Sequence, residues 1–146
     1  MNSNINWKDI QGLVPDAGKS PDFQACLLAF PALELAKLAQ QNPVYHGEGD
    51  TWTHTKLVVE ALLSDPAYQQ ASRADQEVVF LAALLHDIAK YSTTAVDPLT
   101  GTISQPGHSL RGAIDARIAL WDAGTPFATR EAICRLIHAH QEYREC

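Results

Sequence analysis

The chain has 146 residues, 46% of them hydrophobic, and a formal net charge of -6. That length suits one domain with its own core, and the composition excludes a disordered chain. The negative balance excludes a broad polyanion-coating surface, so a phosphate ligand needs a local positive site made by a metal or a few placed Lys and Arg.

The three cysteines, Cys26, Cys134 and Cys146, are odd in number and widely spaced, with no C-x-x-C. They argue against a disulfide framework or a cysteine-based zinc site and fit a reducing cytoplasm. The start, MNSNINWKDI, has no basic stretch leading into an apolar core, so no signal peptide is expected. Apolar runs such as 78–85 fall far short of the roughly 18 residues a membrane helix needs.

Helical periodicity dominates, and the expected fold class is all-α. Residues 1–20, broken by Gly12, Pro15 and Gly18, read as an irregular N-terminal segment, and 21–146 as the domain proper. Ser20-Pro21-Asp22 starts a helix through Phe23–Phe30. Pro31 kinks or restarts it, and PALELAKLAQQ continues to about Gln41, with Leu28, Leu35 and Leu38 on an apolar face. Asn42-Pro43 and the polar loop VYHGEGDTW follow. Thr51 or Asp50 then caps a helix whose His54, Leu57, Val58, Ala61 and Leu62 recur at three- and four-residue steps, which puts His54 on the buried-facing stripe. Asp65-Pro66 ends it.

The next helix spans about Arg73 to Ala89. It is apolar nearly all round between Val78 and Leu85 and is the expected central core helix. Tyr91–Pro106 is a connection with turn chemistry at Pro98 and Gly101 and room for a short hairpin. Helical spacing resumes over Gly107–Trp121 through Leu110, Ala113, Ile114, Arg117 and Ile118. Gly124 punctuates, and Thr125-Pro126 opens a last helix with Ile133, Leu136 and Ile137 inside.

Histidines stand at 46, 54, 86, 108, 138 and 140, five of them on or at the end of these helices. Alone, His54 on an apolar stripe reads as a satisfied core histidine. His86-Asp87 is different, because both polar groups follow an eight-residue apolar run at the end of the most buried helix. A carboxylate there is costly unless it is paired or bound to a cation. Adjacent helical residues diverge by about 100°, so both reach one ion only if it sits off the helix flank. Imidazole plus carboxylate suits a divalent transition metal. Lys90, three residues on, is either a solvated helix-end lysine or a cation facing a phosphate. His108 opens a helix with Arg111 one turn later, and Arg suits bidentate phosphate contact, although a lone arginine is more often a surface group. His138 and His140 point about 200° apart on a continuous helix, and His140 is the candidate for the site.

The ordered set His54, His86-Asp87, His108, His140 resembles the HD superfamily of metal-dependent phosphohydrolases. HGEGDTWTH (46–54), LLHDIAK and PGHSLRGA (106–113) look like strings in the HD domain of bacterial CCA-adding tRNA nucleotidyltransferases. They are still more similar, with a late His140-Gln141, to the HD domain of bacterial bifunctional proteins that carry a polynucleotide kinase. The likeness covers about residues 43–141. It implies an HD-type helical bundle with a metal site between helices. The metal ligands would be His54, His86 and Asp87, with His108 and His140 on a second metal or the substrate phosphate. Lys90, His108 and Arg111 would do the catalytic work. Glu48 and Asp50 match the family string, Asp50 reading more often as a helix cap.

The implied cofactors are one or two divalent ions (Mn, Ni, Co, Fe or Zn). The implied substrate is a phosphate ester, at RNA 3′ ends, 2′,3′-cyclic phosphates or nucleotides, with a kinase domain in a longer parent protein. HD enzymes usually take a further Asp from a later helix, whereas this chain has none after Asp122. The expectation is therefore a domain lacking its last helices. The alternatives are an HD-type module that binds metal or nucleotide with little or no turnover, and a small-nucleotide phosphohydrolase.

Overall fold

The computed structural model describes residues 5–39 and 50–144, with side chains as far as His140. The VYHGEGDTW loop before Asp50, with His46 and Glu48, lies outside the described residues, as do Cys146 and the Gln141 side chain. The fold is helical: α1 (Trp7–Gln11), α2 (Phe23–Ala29), a 3-10 helix (Pro31–Lys37), α3 (Thr51–Leu63), α4 (Pro66–Gln70), α5 (Arg73–Leu85), α6 (His108–Asp122) and α7 (Phe127–Arg144). Between α5 and α6 a two-residue hairpin pairs β1 (Ala95–Val96) antiparallel to β2 (Ile103–Ser104), with Ala95 opposite Ser104. Among the described residues no helix is long and apolar enough to cross a membrane.

Helix starts follow the capping residues. Asp22, Asp50, Asp65 and Ser72 each accept from a backbone N–H of the first turn of α2, α3, α4 and α5. Asp65-Pro66, expected only to end α3, also opens the short α4. Residues 1–20, expected to be irregular, contain α1, whose Asn6 and Asp9 form a reciprocal capping box. Ile10, Leu13 and Val14 are buried in the common core. Arg73 fastens this segment: its Nη2 donates to Gln11 O at 3.0 Å and Val14 O at 2.9 Å, while its Nε holds Glu77 at 3.2 Å.

Helix α5 is the central element, with Phe80, Leu81, Ala82, Leu84 and Leu85 buried. It packs against α3 and α7, and α7 against α6. Several inward assignments from spacing are corrected by the packing. Leu28, Leu35 and Leu38 are exposed, as are Leu57, Leu110, Ile114, Ile118 and Leu136. The buried face of α3 is Thr51, Trp52, Thr55 and Val59; that of α6 is His108, Ser109, Gly112, Ala113, Ala116 and Leu120. Proline does more than kink at Pro31, because the segment tightens into a 3-10 helix ending at Lys37.

Helices α6 and α7 are clamped by Glu131, which accepts from Arg117 Nη2 at 2.8 Å and Nε at 3.0 Å, and from Arg130 Nε at 3.0 Å. The hydrogen bonds from Arg117, then Arg130, hold the Glu131 carboxyl down at about 2. A depressed carboxylate stabilises the fold above its unfolded value, and that stabilisation is lost as pH falls through the folded one. Replacing Glu131→Gln is therefore expected to flatten the fall in stability between pH 4.5 and about 2; an equally steep fall counts against the clamp.

The inward and outward assignment is checked at two neighbours. Ile137 is fully buried and Leu136 is 43% exposed. Urea unfolding should show Ile137→Ala losing about 2–5 kcal/mol and Leu136→Ala well under that, about 0.5 kcal/mol.

Candidate metal centre

The sequence places the chemistry by ending α5 early. The helix was expected to run to Ala89, but it stops at Leu85, and 86–93 continues as turns. Ile88 N–H donates to Leu85 O and Lys90 N–H to Asp87 O, both at 3.1 Å. Ala89 O accepts from Thr93 N–H at 3.1 Å and from the Ser92 and Thr93 hydroxyls, and Lys90 O accepts from the Thr94 hydroxyl. His86 and Asp87 thus sit on the turns that follow α5 rather than on the helix itself. His86 Nε2 lies 3.0 Å from Asp87 Oδ2.

Asp87 is the focus. It is 2% exposed, and three further groups converge on it. His108 Nε2 and His140 Nε2 lie 3.4 and 3.2 Å from Oδ1, and Lys90 Nζ lies 3.7 Å from Oδ2. His108 Nε2 and His140 Nε2 are 3.1 Å apart. The ring of His54 stands edge-on to that of His86, centroids 5.7 Å apart, and His86 to His140 at 5.1 Å. Lys90 is buried, which excludes the solvated helix-end reading.

Three rings are set by one device. Each Nδ1 meets the carbonyl three residues earlier: His86 to Ala83 O at 2.6 Å, His108 to Gln105 O at 3.0 Å, and His140 to Ile137 O at 2.5 Å. A carbonyl only accepts, so each Nδ1 carries the proton and each Nε2 faces the cluster. Gly107, at φ +72°, turns the chain so that His108 starts α6 at this point. Capping by Asp50, with Thr51, Trp52 and Thr55 buried, holds His54 on the first turns of α3.

Burial pushes the Asp87 carboxyl up. The charge at His86 and hydrogen bonds from His108, His140 and His86 outweigh it, so the group is held well below the usual carboxylate range. Neutral rings would face the carboxylate lone pair to lone pair, whereas fully protonated rings with Lys90 would crowd several positive charges around one negative. A divalent cation among the Nε2 and Oδ atoms resolves both, and imidazole with carboxylate is a transition-metal donor set. Two groups of donor atoms lie within 4.8 Å of one another: His54, His86 and Asp87; and Asp87, His108 and His140. Asp87 belongs to both and is their one carboxylate among the described residues.

Of the other sequence candidates, Arg111 is exposed and pairs through Nε with Asp115 Oδ1 at 3.1 Å, on the helix surface. His138 is exposed, and Asp50 is the α3 cap. The carbonyls of Ala83, Gln105 and Ile137 were missed by sequence reasoning. Their signal is the constant offset of three residues, readable only once each histidine is known to sit on a helical turn. Chain loaded with Mn, Ni, Co, Fe or Zn and then dialysed is expected to retain metal. Asp87→Asn should weaken retention by more than the roughly tenfold that loss of an outer partner costs. His138→Ala should retain metal like the parent; equal retention by Asp87→Asn would sink the assignment.

Residues 51–145 match the HD domain family model. The chain is 30% identical over 105 residues to a multifunctional CCA protein of Halorhodospira halophila (strain DSM 244 / SL1), an alignment covering 69% of this chain and 22% of that protein. It thus spans about a fifth of that relative's length. No solved structure matches the chain. With the family model covering His54, His86, Asp87, His108 and His140, the chain belongs to the HD-domain family, a superfamily of metal-dependent phosphohydrolases.

Proposed function

We propose that the chain is a metal-dependent phosphoesterase that acts on RNA ends, 2′,3′-cyclic phosphates in particular. The observation that carries the reading is the buried Asp87 carboxylate shared by two histidine groups with Lys90 beside it. The likeness of its strings to HD domains of CCA-adding tRNA nucleotidyltransferases, together with the similarity to a multifunctional CCA protein, favours nucleic-acid ends over small nucleotides.

His54, His86 and Asp87 would hold the ion. Bound there, a divalent ion supplies Lewis-acid chemistry, drawing charge from phosphoryl oxygens and making water a nucleophile near neutral pH. Lys90 Nζ binds a phosphate oxygen and offsets charge that builds on it in the transition state. Asp87 orients that ammonium, and the burial of Ile88 and Ala89 beside it keeps water from competing for the contact. His108 keeps its Nδ1 proton on Gln105 O, so Nε2 is the atom that takes and gives a second proton. That proton is shared with His140 Nε2 across 3.1 Å and passes to the leaving oxygen, completing general acid catalysis.

The test is a metal-loaded assay against 2′,3′-cyclic nucleotides, RNA 3′ ends, nucleoside monophosphates and bis-p-nitrophenyl phosphate. Release from the cyclic and RNA substrates is expected. Lys90→Met should lower kcat roughly 10²-fold with metal still bound, and Asp87→Asn should lose both metal and turnover. Metal retained with no product above the blank from any substrate would replace this reading with that of a binding module.

A further inference from the structure

Helix α6 carries two apolar faces. The inner one packs into the molecule through Gly112, Ala113, Ala116 and Leu120. On the other side Leu110, Ile114, Ile118 and Trp121 are 52%, 38%, 56% and 64% exposed. At about 100° per residue these four fall in a stripe roughly 80° wide, diametrically opposed to the inner face. Phe127, 70% exposed at the start of α7, extends the stripe. The Arg130 guanidinium lies between the two aromatic rings, 4.6 Å from Trp121 and 5.1 Å from Phe127, and holds them as one surface. Together the five side chains present on the order of 500 Å² of apolar area, at the scale where an exposed patch marks a contact.

We infer that this face is the contact between two copies of the chain, α6 lying antiparallel against α6 of the second copy. A two-fold axis level with residue 116 sets Ile114 against Ile118 of the second copy and brings Leu110 to within one residue of the level of Trp121. Both pairs come out of one operation, because Ile114 and Ile118 lie equally far from that level and Leu110 and Trp121 differ by about one residue's rise. The same operation brings Arg111 opposite Asp122 of the second copy. Both project from one flank, about 60° and 80° from the centre of the stripe, and a two-fold of this kind keeps each flank on its own side. Arg111 is held on that flank by Asp115, and Asp122 is exposed. Two pairs of opposite charge therefore frame the apolar centre and fix its register. On the other flank Arg117 is already neutralised by Glu131 of its own chain. Doubled across the axis, the patch reaches the ~1,000 Å² that a specific interface needs.

Sedimentation velocity of the full chain over a concentration series tests the proposal. A monomer–dimer equilibrium is expected. Ile118→Glu, at an exposed position, should give monomer with unchanged circular dichroism and a melting temperature that no longer rises with concentration. Asp122→Arg should raise the dissociation constant roughly tenfold or more by setting like charges opposite, and adding Arg111→Asp should restore the dimer. The parent chain remaining a monomer at every concentration overturns the inference, as does a dimer indifferent to Ile118→Glu. Failure of the charge exchange to rescue Asp122→Arg overturns the antiparallel register.

Discussion

A carboxylate taken out of water is the constraint around which this molecule is arranged. Removing an ion of that size from solvent costs several kcal/mol even after relaxation, and the cost is recovered only where positive groups and hydrogen-bond donors converge in good geometry. Asp87 has Lys90 and His86 from its own turn, His108 from the start of α6 and His140 from late in α7. No single helix supplies such a set, so the requirement at one carboxyl group dictates that the end of α5, the start of α6 and the last helix meet. Removing Asp87 would leave the imidazoles and Lys90 without the negative charge they share, which ties the chemistry of the site to the packing of the fold.

The way α5 ends follows from the same requirement. His86, Asp87 and Lys90 all lie on the turns that follow α5. Termination at Leu85, with Ser92, Thr93 and Thr94 taking up the carbonyls of Ala89 and Lys90, folds all three polar side chains into one buried corner. Backbone carbonyls then finish the arrangement. By accepting the Nδ1 protons of His86, His108 and His140 they leave each Nε2 aimed at Asp87, and an orientation fixed in advance lowers the cost of binding an ion.

Much of this was legible in the sequence, and the parts that were not share a cause. The cap at Asp50 acts within one turn and was one of two residues the spacing offered, whereas the cap at the start of α2 is Asp22 rather than Ser20, and Ser72 was not singled out. His86 and Asp87 were conspicuous because they follow an apolar run, whereas His54, His108 and His140 became candidates through their order along the chain and the likeness of their strings to HD domains. Inner and outer faces were not. Leu110, Ile114 and Ile118 recur at helical spacing, yet they point outward, while the inner face of α6 is made of Gly112, Ala113 and Ala116. Helices that approach closely need small residues in contact, so the larger apolar stripe marked the wrong side. The same confusion put Leu28, Leu35 and Leu38 inside.

The sequence by itself determined that the chain is helical, where most helices begin, and which side chains have the chemistry to hold a metal. Those properties depend on near neighbours along the chain, and a hydrogen-bond donor or an apolar period is present whatever the rest of the molecule does. Only the tertiary structure decided that Lys90 is buried against Asp87 while Arg111 stays on the surface with Asp115. It also decided that α5 stops at Leu85 and that, among the described residues, Leu110, Ile114, Ile118 and Trp121 of α6 stand exposed. These outcomes depend on which elements pack against which, and a burial cost is settled by neighbours that lie far away in sequence.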